Sequence, residues 1–112
     1  MKFRIHDDAN ADIETARQYY RDTKFHTLRP KIKIDAKSNE NELSLAFYNE
    51  IKRVVYLIGK APFMATEVEP GYFRRHLKRF PYKILYFADD SEILILAVSH
   101  NHMHPDGWKL RI

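Results

Sequence analysis

A basic run late in the chain, Tyr72-Phe-Arg-Arg-His-Leu-Lys-Arg-Phe-Pro-Tyr-Lys83, carries most of the side chains that could do chemistry. By the strand period of two, Tyr72, Arg74, His76 and Lys78 share one face, and Phe73, Arg75, Leu77 and Arg79 the other. Cutting RNA without a metal needs a base at the 2′-hydroxyl, cations at the phosphate and an acid for the leaving oxygen. Arg74, His76, Lys78 and Lys83, with His102 further on, are residues of those types. Tyr72, Tyr82 and Tyr86 could stack a base. No acid–base pair is fixed by spacing, however, and the plainer reading is a solvated basic strand that binds an acidic protein face. His100, His102 and His104 alternate and would project to one side of a continuing strand. Three imidazoles suit zinc, but Asp106 is the one carboxylate close by. Surface histidines in a loop are the simpler reading, and neither a metal site nor a cofactor is expected.

The elements that must position these residues follow from periodicity. Residues 2 to 6 alternate as a short strand, with Phe3 and Ile5 between Lys2, Arg4 and His6. Asp7 or Asp8 suits a helix N-cap. Ala9, Ile13, Ala16 and Tyr20 then form one stripe of a helix to about Arg21. Residues 22–38 have no helical stripe, and Pro30 interrupts them. They read as an exposed basic linker, in which Lys31-Ile-Lys-Ile could add as an edge strand to a sheet or a partner chain. Asn39, with Glu42 three residues on, opens a second helix. Its core stripe is Leu43, Phe47, Ile51, Val54 and Ile58, and Gly59 and Pro62 stop it. Residues 60–71 read as a loop ending in the turn dipeptide Pro70-Gly71. Three strands follow: the basic run, Ile84–Ala88 and Ile93–Val98. Phe80-Pro81-Tyr82 and Asp89-Asp90-Ser91 punctuate them. The last two are almost continuously apolar, as strands covered on both faces are. Segregated helices and strands predict an α+β domain, β-α-α-β-β-β, with an antiparallel helix pair on one face of an antiparallel sheet.

The totals bound the function classes. A chain of 112 residues, 45% hydrophobic and 30% charged, is long enough for one core and too apolar to be disordered. One domain over residues 1–112 is expected, with the basic stretch at about 22–38 as an insertion. No apolar run could span a bilayer, no signal-peptide core opens the chain, and there is no cysteine, so a cytoplasmic protein without membrane contact is expected. The 19 Lys and Arg against 15 Asp and Glu give a net charge of +4. The bases crowd into 24–37 and 74–83, and either block could face a nucleic acid or an acidic protein segment.

Several of these residues together resemble a known family. They are Asp12-Ile13 and Tyr19-Tyr20, Glu50-Ile51, Ile58 with Pro62, and Arg74-Arg75. Phe80-Pro-Tyr-Lys-Ile-Leu-Tyr86 and Ile95-Leu-Ala-Val-Ser-His100, followed by Pro105, Trp108 and Arg111, complete the pattern. The chain resembles the RelE/ParE toxin superfamily, of the kind also called plasmid stabilisation proteins, over nearly all its length except about 21–38. The resemblance implies the toxin of a bacterial toxin–antitoxin pair, bound by a cognate antitoxin. It implies a target of DNA gyrase in the ParE-like branch, or messenger RNA on the ribosome in the RelE-like branch. Two features depart from the pattern. Some seventeen residues, Asp22 to Ser38, stand where a short turn usually joins the helices. Asn101-His-Met103 stands where the RNA-cutting branch carries adjacent arginines.

The reading is therefore a ParE-like toxin that inhibits gyrase by binding it. The alternatives are a metal-independent, ribosome-dependent mRNA endonuclease, or a degenerate toxin fold kept as a binding module. The residues expected to meet a partner are Arg74, Arg75, Lys78, Arg79, Tyr82, His100, Trp108 and Arg111. Those expected to act if RNA is cut are Arg74, His76, Lys78, Lys83 and His102.

Overall fold

A computed structural model of the chain describes residues 2–22, 40–101 and 109. Its elements are β1 (Lys2–Ile5), α1 (Asp7–Asp22), α2 (Glu40–Lys60), β2 (Thr66–Glu69), β3 (Tyr72–His76), β4 (Tyr82–Ala88) and β5 (Glu92–His100). The α+β order read from the sequence holds, and the helices pack on one face of the sheet. One short strand is added: β2 lies within the stretch read as a loop, and Pro70-Gly71 turns it back onto β3. Gly71 sits at φ 85°, and a Cβ there would meet the Phe87 ring at 3.1 Å. Only glycine satisfies both conditions easily.

The sheet order is β1-β5-β4-β3-β2. It is mixed rather than wholly antiparallel, because β1 runs parallel to β5. Everything from α1 to β4 lies between them in the chain, which gives β5 the length to return parallel to β1. Where β1 ends, α1 takes over the edge of β5. The His6 amide donates to the Ile95 carbonyl at 2.8 Å, and the Asp12 carboxylate accepts the Val98 amide at 2.9 Å. His6 also caps α1: its Nδ1 accepts the Asp8 amide at 3.0 Å. The cap is thus one residue earlier than the aspartates suggest, because the β1 pairing ends at His6 and forces the helix to begin there.

Leu43, Phe47, Ile51, Val54 and Ile58 are all buried. They meet Ala9, Ile13, Ala16 and Tyr20 of α1 and Ile84, Tyr86, Ile93, Ile95 and Val98 of the sheet in one core. The second face of the sheet is not bare. β5 carries one extra residue where the register steps from Leu85↔Ala97 to Tyr86↔Ile95. This bulge sends both Leu96 and Ala97 to the second face, where they are buried with Leu85 among Val68, Tyr72, Phe87 and Leu94. β4 and β5 are therefore covered on both sides, as their apolar runs predict. No helix among the described residues is long and apolar enough to cross a membrane.

An aromatic box closes one end of the core. Tyr20, Phe47 and Phe80 meet at centroid distances of 5.1 to 5.3 Å, and Tyr82 lies 5.2 Å from Phe47. Such edge-on pairs add to burial. Phe47, which is fully buried, is the ring shared by most of these contacts. Phe47→Ala should cost about 3–5 kcal/mol of stability in chemical denaturation, whereas the exposed Leu45→Ala should cost less than about 1 kcal/mol. Equal effects would mean that α2 does not present this face to the core.

Candidate functional site

Arg74, His76 and Lys83 come together on the sheet face away from the helices. β3 alternates Phe73, whose side chain joins the helix-side core, with Arg74 and His76 on the other face. β4 places Lys83 there, directly opposite His76 and diagonal to Arg74, which pairs with Leu85. Lys83 is 8% exposed. No hydrogen bond or ion pair reaches its ammonium among the described residues, and the buried Arg74 Nε has no partner either. Burial, and then the nearby Arg74 charge, push the Lys83 ammonium below the ordinary lysine range. Two partly desolvated like charges without an acceptor cost stability. A phosphate or carboxylate placed between them would recover it.

Lys78 does not join this set. The strand ends at His76, and Leu77 turns inward, donating its amide to the Tyr82 carbonyl at 2.9 Å. The next amide, that of Lys78, donates to Glu50 Oε2 at 2.8 Å. Glu50 is a buried carboxylate on α2, held also by Arg53 through Nε at 2.9 Å and Nη2 at 2.8 Å. The Arg53 bonds, together with the Lys78 amide, hold its carboxyl below the usual carboxylate range against the opposing effect of burial. The chain after His76 is thereby drawn to the helix side. Lys78 and Arg79 stand beside Arg53, away from Arg74 and Lys83. No pattern of burial or charge in the chain singles out Glu50 for this role. The one local signal is the Glu50-x-x-Arg53 spacing on a helix.

The other residues named from the sequence are dispersed. Arg75 turns to the loop before β2, donating Nη1 to the Met64 carbonyl at 3.0 Å. Tyr82 belongs to the aromatic box, and His100 packs against it at 5.1 Å, edge to face. Phe80-Pro81-Tyr82 has a structural purpose: the Tyr82 amide returns to the Phe80 carbonyl at 2.8 Å in a tight turn centred on proline. Tyr86 is fully buried and donates its hydroxyl to the Pro62 carbonyl at 2.7 Å, so it cannot stack a base. Burial raises its phenol above the ordinary tyrosine range. Tyr72 packs on Phe87 at 5.2 Å. His102, His104, Trp108, Arg111 and, apart from Asp22 at the end of α1, the basic stretch at about 22–38 lie outside the described residues. Lys109 is described, and its ammonium reaches Glu69 at 2.8 Å on the β2 edge. Among the described residues no group of three or more His, Cys, Asp or Glu is placed to hold a metal.

The architecture is similar to that of solved toxin–antitoxin structures. The chromosomal ParDE toxin–antitoxin system of P. aeruginosa superposes at a TM-score of 0.64 with 17% identity, over 89% of this chain and 95% of that one. The RelBE2 toxin–antitoxin complex of Mycobacterium tuberculosis is a looser likeness, at 0.47 and 19%, over 88% of each chain. At 17% identity the likeness to the ParDE structure is one of fold alone. No protein-family model matches the chain, and no curated protein matches it.

Two outcomes follow from the charges. Glu50 titrates below its ordinary range in the folded state, so the stability it adds is present above that ordinary range and is lost as pH falls through the lower folded value. Glu50→Gln should cost about 1–3 kcal/mol at neutral pH, and its gap from the parent should close as unfolding is followed into acid. A gap independent of pH would assign the loss to shape. Lys83→Met removes a charge on a side chain that is 8% exposed and should leave the melting temperature unchanged or raise it. A fall of several degrees would mean that the ammonium has an acceptor in the free protein.

Proposed function

We propose that this chain is the toxin of a bacterial toxin–antitoxin pair of the plasmid stabilisation kind, held inactive by a cognate antitoxin protein. The observation that carries the reading is the fold likeness to the ParDE system, which extends over nearly the whole of both chains. The resemblance seen in Phe80-Pro-Tyr-Lys-Ile-Leu-Tyr86 and in the stretch ending at His100 points the same way. The target in this reading is DNA gyrase, reached in the cytoplasm and inhibited by binding.

The geometry favours binding over bond-breaking. An RNA-cutting site needs a base, an acid and phosphate cations within reach of one another. Lys78 is drawn to α2, and Tyr86 is locked in the core. Asn101 and Met103 stand where arginines would steady a phosphate. One observation supports an mRNA endonuclease as the second reading: among the described residues Arg74 and Lys83 have no acceptor, and His76 stands opposite Lys83.

Controlled expression in bacterial cells, with supercoiling and message integrity followed together, separates the readings. The expected outcome is growth arrest, loss of gyrase supercoiling by the purified chain, and intact messages. Arrest should survive His102→Ala and His104→Ala, and fall when Arg74 and Arg75 are both replaced by alanine. Cut messages with unaffected supercoiling would move the assignment to the endonuclease. Normal growth at full expression of folded protein would remove the toxin reading.

A further inference from the structure

The turn that carries Lys78 and Arg79 borders a groove on the helix side, separate from the Arg74–Lys83 face. Its volume is about 510 Å³, and it is lined by Ala46, Asn49, Glu50 and Arg53 of α2 and by Lys78, Arg79 and Phe80. The carboxylate in it is already occupied. Both Glu50 oxygens accept from Arg53, and one accepts from the Lys78 amide as well. Three cations thus surround one saturated carboxylate. The Lys78 and Arg79 side chains are exposed, and among the described residues neither is hydrogen-bonded. Asn49 adds an exposed amide, and Ala46 a half-buried apolar floor.

We infer that this groove docks an acidic peptide segment of a partner protein. One or two carboxylates of that segment meet Lys78 and Arg79, and a small apolar side chain rests on Ala46. The charge balance selects an anion. The volume suits a few side chains of an extended or helical segment. A nucleic acid fits less well, because single strands are held by stacking on exposed aromatic faces. Phe80, the aromatic that lines the groove, is 5% exposed and is enclosed by Tyr20 and Phe47. The inference deepens the toxin–antitoxin reading by giving the partner a footprint. It rests on that reading only for who the partner is, since the groove's chemistry is a property of this chain.

The test uses the whole chain and three probes: a short fluorescein-labelled peptide repeating Glu-Glu-Leu-Ala, its Gln-Gln-Leu-Ala counterpart, and oligo-uridine RNA. Fluorescence anisotropy measures affinity, and amide chemical shifts locate the contact. The acidic peptide should bind at least ten-fold more tightly than the glutamine peptide and should move the amides of Asn49, Lys78 and Arg79. Lys78→Glu with Arg79→Glu should weaken it at least ten-fold, while Arg74→Glu on the other face should not. Both replaced residues are exposed, and thermal unfolding verifies that the double variant is folded. Raising the salt should weaken binding, because exposed charge is screened within about 8–10 Å at physiological ionic strength. Equal binding of the two peptides would overturn the inference, as would full affinity in the double variant. Tighter binding of RNA at the same amides would give the groove to nucleic acid instead. Growth arrest is read in a separate assay, so a failed toxin assignment and a failed groove assignment leave different records.

Discussion

The Glu50 carboxylate governs where the chain's positive charge ends up. It is largely buried on α2, so most of its hydrogen bonds come from the protein. Arg53 supplies two donors from the same helix, and Lys78, 28 residues away in sequence, supplies a backbone amide. That single long-range bond sets the β3–β4 turn against the helix. Phe80 then falls into the aromatic box, and Lys78 and Arg79 fall beside Arg53. Leu77 and Phe80, both buried in the helix-side core, draw the basic run the same way. Packing and charge placement are therefore one problem here.

The sheet solves a related problem at its other end. β1 is short, and pairing with β5 ceases at Ile95. A central strand cannot leave its backbone groups bare beyond that point. The Asp12 side chain supplies the missing acceptor for Val98, and the His6 amide supplies the last donor to Ile95. The bulge in β5 turns two successive small and aliphatic residues to the second face. That face is consequently apolar at Leu85, Leu96 and Ala97 and cationic at Arg74 and Lys83. Apolar surroundings are what leave the Lys83 ammonium poorly hydrated and its proton less firmly held.

What could be read from the sequence was what rests on periodicity. The Leu43-to-Ile58 stripe repeats at helical spacing and is buried throughout. The apolar runs of β4 and β5 indicated cover on both faces, and the order of helices and strands gave the α+β architecture. β2 was not legible, because Thr66-Glu-Val-Glu69 has weak strand propensity and gains its pairing from β3. The helix cap at His6 was hidden by the better capping residues after it. Lys78 was read with Arg74 and His76 because alternation assumes a strand that continues, and the end of that strand is decided by a carboxylate on another element. No local pattern around Lys83 reveals that it is buried.

One basic segment thus yields two surfaces that would treat an anion differently. On the open face of the sheet, the Lys83 side chain and the Nε of the half-buried Arg74 are largely removed from water. Coulomb attraction there is strong, and a ligand must surrender its own hydration to gain it. Such a surface discriminates by fit. In the groove beside α2, Lys78 and Arg79 are hydrated and screened, so each contact is weak and sensitive to salt. Such a surface steers an acidic segment and fixes its register more than it holds it. A partner that spans both would approach through the groove and be retained on the sheet. A variant changed only at Lys78 and Arg79 would then slow association, and one changed only at Lys83 would speed release. The division follows from burial alone, since the residues are of the same type and lie within ten positions of one another.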